Sequence, residues 1–335
     1  MSEKIRWGLL STANINRRII PAILQSERGE LAAVASRTSE SAYEYARNWD
    51  IPLSFSSYQE MLDSGSIDAV YIGLPNYLHA EWSIKAMRAG LHVLCEKPFA
   101  LSLEDIDEMI TVQKESGMIL AEAFMYRHHP QTKIVGELVH SGRLGEVTVF
   151  RGIFNFSMNP EGRDKNNPNV RLVPGWGGGS LWDIGVYPLS FAQFIFRGAP
   201  QWVFGSQWIG EFGVDETFCG QMGYAGGGFA QISASFRTPY HTYVEIIGTD
   251  GRIELTRPFT GMDETEGRTT LFDKDGKAQE IPIPEEYLYL GEINDMHAAI
   301  LDSAPNYLSL SETRNHIKTT LALYESAKND KLVQL

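Results

Sequence analysis

The chain has 335 residues, 43% of them hydrophobic and 21% charged, with a formal net charge of −13. That length exceeds what one hydrophobic core usually serves, so two domains are expected, and the ordinary composition argues against a disordered or fibrous protein. The acidic balance disfavours a nucleic-acid or anionic-membrane partner.

The N-terminal residues run straight into an apolar segment, without the basic stretch and long apolar core of a secretory signal. No run of about 18 apolar residues marks a membrane span. With Cys95 and Cys219 as the two cysteines, no disulfide framework is implied, and a reducing cytoplasm is the expected compartment.

Apolar strands alternate with helical stretches in the N-terminal part, the pattern of βαβ units feeding a parallel sheet. Residues 5–10 read as a first strand and 16–25 as a first helix, with Pro21 awkwardly placed inside it. A second strand spans 30–36, followed by a helix over 39–49. Residues 68–74 read as a buried strand ending at Pro75, and the helix over 80–88 stops at Gly90, a suitable left-handed cap. Residues 92–96 form the next strand, broken by Pro98. Ser102 then opens a helix with Asp105 in capping position, and 118–123 make a further strand.

Beyond Tyr126 the rhythm changes. A helix over 129–141 precedes strand-like segments at 147–156, 202–208, 216–223, 229–237, 242–247 and 252–255. Turn signals such as Gly226-Gly227-Gly228 and Asp250-Gly251 separate several of them. A helix over 179–196 is inserted among the strands, and helices over 291–303 and 309–329 finish the chain. The expected fold is therefore α/β. An N-terminal α/β domain covers 1–126, and a C-terminal α+β domain covers 127–335, with a large, mostly antiparallel open sheet.

A strand–turn–helix that cradles a dinucleotide normally carries G-x-G-x-x-G at the turn. Here the turn is Ser11-Thr12-Ala13-Asn14-Ile15-Asn16 behind Gly8, with small or turn-tolerant residues in all three glycine slots. Ser11, Thr12 and Asn14 add donors at a helix N-terminus, where a pyrophosphate binds; the alternative is an ordinary strand–helix turn. About 20 residues on, an NAD enzyme places an acidic side chain against the ribose, and this chain reads Ser36-Arg37-Thr38. A guanidinium flanked by hydroxyls suits a 2′-phosphate, so the expected cofactor is NADP, with NAD as the alternative.

Glu96-Lys97-Pro98 stands at the carboxyl end of a strand, where open parallel sheets bind ligands. An ammonium there bonds substrate hydroxyls and lowers the pKa of a neighbouring acid, while Pro98 restricts Lys97. Taken with LPNYLHAEW, AEAFMYRHHP and GWGGGSLWDIGVYPL, this segment makes the chain resemble the Gfo/Idh/MocA oxidoreductases along essentially its whole length. The resemblance implies a Rossmann domain and a catalytic Lys97. It also puts Pro75, Asn76 and His79 near the cofactor, and together with the turn and strand-end residues Gly8, Ser11, Thr12, Ala13, Asn14, Ile15, Ser36, Arg37, Thr38, Leu74, Glu96 and Lys97 they make up the candidate cofactor contacts.

Asp183 and Tyr187 are spaced i, i+4 and share a helix face. Gly177, Gly178 and Gly179 before them permit close backbone approach. Many relatives carry His where this chain has Tyr187. The Tyr form is similar to the branch with dimeric dihydrodiol dehydrogenase, NADP-dependent D-xylose dehydrogenase and glucose–fructose oxidoreductase. By that resemblance Tyr187 exchanges the proton of a sugar hydroxyl, with Lys97 favouring the phenolate. Asp183 either bonds a substrate hydroxyl or orients the lysine. Arg127, Arg171 and Trp176 join Asp183 and Tyr187 as candidate substrate contacts. Residues 157–176 are either a lid over substrate or a surface excursion. His128-His129 lacks a third ligand at metal spacing, so no metal is expected.

The expected function is an NADP(H)-dependent oxidoreductase acting on a sugar or polyol carbon, aldose 1-dehydrogenase-like. The alternatives are a keto-sugar reductase, a trans-dihydrodiol dehydrogenase and a dinucleotide-sensing regulator. The expected partners are a small sugar or polyol and further copies of the chain, as homodimer or homotetramer, with no nucleic acid and no membrane.

Overall fold

The computed structural model describes residues 4–260 and 267–335 and divides the chain into two compact units. The first comprises Met1–His128 with Tyr287–Thr313, and the second His129–Glu286 with Arg314–Leu335.

In the first unit, strands β1 (Ile5–Leu10), β2 (Gly29–Ala35), β3 (Leu53–Phe55), β4 (Ala69–Ile72), β5 (His92–Glu96) and β6 (Leu120–Ala123) alternate with helices. The helices are α1 (Asn16–Gln25), α2 (Ser39–Asn48), α3 (Tyr58–Asp63), α4 (His79–Arg88), α5 (Leu103–Ser116) and α6 (Met125–His128). The strands are parallel in the order β3-β2-β1-β4-β5-β6, so the winding reverses between β1 and β4. This is the Rossmann arrangement, with its ligand crevice beyond the carboxyl ends at the reversal. Every residue of β4 is buried, as expected for a parallel strand covered by helices on both faces. Pro21 sits inside α1 without ending it. The short β3 and the six-residue α3 have no counterpart in the sequence reading, because three partly exposed residues carry no periodicity to detect.

The stretch Tyr287–Thr313, assigned from sequence to the second domain, packs within the first unit instead. A buried hydrogen-bonded chain is the physical reason. The Trp7 indole donates to His297 Nε2 (2.9 Å), His297 Nδ1 lies 3.0 Å from Ser26 Oγ, and that hydroxyl donates to Asn294 Oδ1 (2.8 Å). The helix Leu290–Leu301 is thereby bolted to β1 and to the end of α1.

The second unit begins with α7 (Pro130–His140) and β7 (Val147–Ser157), followed later by α8 (Val186–Phe196). Its other strands are β8 (Trp202–Ile209), β9 (Asp215–Gly223), β10 (Phe229–Ser235), β11 (Arg237–Gly248), β12 (Gly251–Thr256), β13 (Thr269–Asp273), β14 (Ala278–Glu280) and β15 (Val333–Gln334). Among the described residues they form one nine-stranded sheet in the order β14-β13-β12-β11-β7-β10-β9-β8-β15. It is antiparallel apart from the parallel β7–β10 pair. One face is apolar and receives α8, where Phe150 meets Phe191. The opposite face carries Phe204, Trp208, Phe229, Cys219 and Gln221, each exposed.

Burial lowers the His297 imidazole to about 4, which keeps it neutral and able to accept from Trp7. The unfolded chain takes up that proton near the ordinary value of 6.5, so the stability is present above that value and is lost as pH falls toward 4. Urea titrations followed by tryptophan fluorescence should show about 2 kcal/mol lost across this window, with a flatter slope in His297→Gln. An identical slope in both proteins would contradict the assignment.

Candidate active site

In the first unit, the turns after β1, β2, β4 and β5 gather most of the residues singled out from sequence at the carboxyl edge of the sheet. Ser11, just past β1, has φ +123°, a conformation that costs an ordinary residue about 1–3 kcal/mol and that glycine adopts freely. Its hydroxyl compensates by donating to the Gly73 carbonyl (3.1 Å) and accepting from the Ala13 amide (3.3 Å), which stitches the β1 turn to the β4 turn. Asn16, buried, donates to the Ser11 carbonyl (2.8 Å). Thr12, Ala13, Asn14 and Ile15 complete the turn that opens α1, a ready seat for a pyrophosphate. Gly8 has a different task. A Cβ there would stand 2.7 Å from Ile67 Cδ1, so its small size serves packing inside the unit.

After β2, Arg37 and Thr38 are exposed and Ser36 is buried. Thr38 caps α2 by accepting the Ser41 amide (3.3 Å). Ser41, which the sequence reading passed over, ties the group together: Ser36 Oγ donates to its hydroxyl (3.1 Å), and Thr12 Oγ1 lies 3.4 Å away. A hydroxyl cluster thus adjoins the guanidinium-bearing residue, and no carboxylate occupies 36–38. These residues fit the 2′-phosphate of NADP.

After β4, Leu74 is buried, while Pro75 and Asn76 are half-buried at the start of a short 3₁₀ turn. His79 is fully buried, and its ring nitrogens face the Leu74 carbonyl (2.8 Å) and the Pro98 carbonyl (2.9 Å). At the end of β5, Glu96 is held from two sides: the Tyr71 hydroxyl donates to Oε1 and the Lys97 amide to Oε2 (3.2 Å). Burial, reinforced by the Glu96 charge, drives the Tyr71 phenol well above its ordinary value, so it remains a donor. Lys97 follows, half-buried, and its bond to Pro98 is cis. Arg127, in α6 just past β6, has a side chain 1% exposed that pairs with Glu312 at 2.5 Å.

In the second unit, the structure replaces the continuous helix expected over 179–196 with a five-residue π turn, Leu181–Gly185, that runs into α8. The wider turn has a local cause in Asp215. Its Oδ2 accepts from Ser180 Oγ and from the Leu181 amide, both at 2.8 Å, and its Oδ1 accepts from the Tyr324 hydroxyl at 2.8 Å. The carboxylate comes so near that a Cβ on Gly179, at φ +125°, would lie 2.0 Å from Asp215 Oδ1. That is the use of the glycine run. Such π turns concentrate at functional sites, and this one carries Asp183.

Asp183 Oδ2 accepts from Arg171 Nε at 2.6 Å, so within its unit the carboxylate already has a cationic partner. Tyr187 on α8 is 6% exposed, with its ring against Phe154 and Phe259. Trp176 is exposed. The segment over 157–176 folds into three short 3₁₀ turns, anchored by Arg163 on Glu216 (3.1 and 2.5 Å) and by Arg171 on Asp183. Among the described residues, no group of three or more His, Cys, Asp or Glu is placed to hold a metal ion, and His128 Nδ1 is 2.7 Å from Asp295. No helix among them is long and apolar enough to cross a membrane.

A parallel sheet with this strand order and a separate antiparallel-sheet unit define a two-unit protein whose first unit has the dinucleotide-binding fold. The family described as "Oxidoreductase family, NAD-binding Rossmann fold" matches residues 5–124, and the GFO/IDH/MocA C-terminal domain matches 132–254. D-xylose 1-dehydrogenase (NADP(+)) 2 of Haloferax volcanii is 36% identical over 98% of this chain and 99% of its own. A dTDP-3,4-didehydro-2,6-dideoxy-alpha-D-glucose 3-reductase of Saccharopolyspora spinosa is 32% identical over 85% of this chain and 84% of its own. Among solved structures, a 3-ketoreductase from Actinomadura kijaniata in complex with NADP and TDP-benzene superposes with a TM-score of 0.87, at 28% identity over 97% of this chain and 98% of that one. The chain belongs to the GFO/IDH/MocA family of oxidoreductases.

Burial raises the Asp215 carboxyl from 3.8 to about 6 against the pull of its three hydrogen-bond donors. The folded state therefore holds this proton more tightly than the unfolded chain. That contribution is full below the ordinary carboxylate value and fades as pH rises through 6. Asp215→Ala removes the anchor of the π turn and should lower stability by about 2–3 kcal/mol in urea. A variant as stable as the parent would show that the carboxylate holds nothing.

Proposed function

We propose that the protein is an NADP(H)-dependent sugar oxidoreductase of the aldose 1-dehydrogenase type. The observation that carries this reading is the full-length similarity to a D-xylose 1-dehydrogenase (NADP(+)), in a chain that sets an Arg37–hydroxyl cluster after β2 and Lys97 after β5. In this reading the first unit binds the dinucleotide. Arg37, Thr38, Ser36 and Ser41 hold the 2′-phosphate, the Ser11–Ile15 turn holds the pyrophosphate, and Leu74, Pro75, Asn76 and Glu96 frame the nicotinamide end. NADP+ held by these residues would supply the hydride acceptor for the sugar carbon.

Tyr187 takes the hydroxyl proton at its phenolic oxygen, a role that its ordinary pKa of about 10 makes slow unless a cation favours the phenolate. Lys97 supplies that cation. Asp183 and Arg171 act as a pair, with Arg171 directing the Asp183 carboxylate for a substrate hydroxyl, beside Trp176. The second unit has a further task in self-association. Its open sheet face bears Phe204, Trp208 and Phe229, apolar side chains suited to another copy of the chain. A cytoplasmic setting agrees with two free cysteines. The 3-reductase relative and the ketoreductase structure favour a second reading, in which the same residues work in reverse and Tyr187 donates the proton to a forming alkoxide.

Lys97→Met and Tyr187→Phe should each lower turnover on an aldose panel by a factor of about 10² or more while NADP(H) affinity persists. Near-parental turnover in either variant rejects its assignment. Arg37→Ala should weaken NADP+ by about tenfold or more and leave NAD+ nearly unaffected, as read by calorimetry with each nucleotide. An equal effect on both nucleotides would remove Arg37 from the 2′-phosphate.

A further inference from the structure

β4 and β5 are adjacent parallel strands that pair Ile72 with Cys95 near their carboxyl ends. Two residues beyond β4 stands Leu74, and two beyond β5 stands Pro98, directly after Lys97. The imidazole of His79, at the start of α4, lies between them: Nδ1 is 2.9 Å from the Pro98 carbonyl oxygen and Nε2 is 2.8 Å from the Leu74 carbonyl oxygen. The residue is 0% exposed, so its ring meets neither substrate nor solvent.

We propose that His79 is a positioning residue with two separable outputs: through Pro98 it sets the place of Lys97, and through Leu74 it sets the Pro75–Asn76 turn for the cofactor. The inference rests on the roles given above to Lys97 and Asn76. Its basis is donor arithmetic. Both partners are acceptors, whereas a neutral imidazole has a single N–H. The doubly protonated ring bonds both carbonyls at once; burial opposes its second proton, the Pro98 and Leu74 carbonyls favour it, and the Lys97 charge opposes it. Each ring nitrogen serves one loop, so removing the donor at Nδ1 loosens the loop of Lys97, and removing the donor at Nε2 loosens the Pro75–Asn76 turn.

The stereochemistry of amides separates the outputs. An asparagine amide nitrogen falls near the place of Nδ1 and can still donate to Pro98, while a glutamine amide nitrogen falls near Nε2 and can still donate to Leu74. The kcat of His79→Gln should therefore fall further than that of His79→Asn, by about tenfold, because a displacement of about 1 Å at a reacting group is costly. For NADPH dissociation constants, measured by fluorescence titration, the order should reverse, with His79→Asn the weaker binder. Such a crossed pattern is not produced by a general loss of packing, which moves kcat, affinity and Tm together.

Parallel losses in both variants overturn the proposal. Should a variant not fold, the parent protein still decides: in ¹⁵N-labelled protein the His79 ring proton should exchange slowly with solvent, and rapid exchange counts against these hydrogen bonds. If Lys97→Met turns over normally, the underlying assignment of the lysine fails. With that variant slow, an uncrossed pattern counts against His79 alone.

Discussion

The first unit is governed by one constraint: its central strands are covered on both faces, so a polar side chain has a place only where a strand ends. Trp7, Leu9, Val70, Tyr71, Ile72, Val93 and Cys95 are all closed to solvent. Groups that break the apolar rule must be paired within the unit. Trp7 finds His297, and Tyr71 finds Glu96. At the carboxyl edge two cationic residues stand just past strand ends, Arg37 after β2 and Lys97 after β5. Each rests on backbone that neighbouring side chains hold in place. Ser11, Ser41 and His79 link neighbouring turns by hydrogen bonds, and Glu96 accepts from the Lys97 amide beside it.

The second unit solves a different problem with a buried carboxylate. A helix start exposes unpaired amides, and here Asp215 accepts one of them while also gripping Ser180 and Tyr324. The cost is a carboxyl held against its preference for water, and the glycines before the helix are the geometric condition for it. In return, the segment that carries Asp183 and Tyr187 is fixed at its first turn. Arg163 and Arg171 pin the preceding segment to Glu216 and Asp183, so the chain around this helix is tied by ion pairs as well as by packing. A site that handles protons gains from such fixed surroundings, because misplacement by about an ångström is expensive.

Much of this was legible from the residues. β1, β2, β4 and β5 announce themselves as apolar runs between turn signals, and the place of Lys97 follows from where its strand stops. Other features were hidden for definite reasons. β3 and β14 are three-residue edge strands whose side chains are mostly exposed and therefore unpatterned, and β13 is only five residues long. Asp215 lies 35 residues from Ser180, and His297 lies 290 from Trp7, so no local spacing reveals either contact. Ser11 occupies a backbone conformation that sequence rules reserve for glycine, which made the nucleotide turn look weaker than its geometry is. Arg171 and Asp183 were each read as substrate contacts, and their mutual bond is a matter of folded geometry alone.

The central claim is that this chain moves hydride from the carbon of a sugar hydroxyl to NADP+. Its most direct test is to incubate the protein with NADP+ and D-xylose deuterated at C1, then examine the nucleotide by NMR. The account predicts deuterium at C4 of the nicotinamide, on one face of the ring, together with slowed turnover relative to unlabelled sugar. NADPH formed without deuterium at that carbon, or no reduction across a panel of C1-deuterated aldoses, would contradict it.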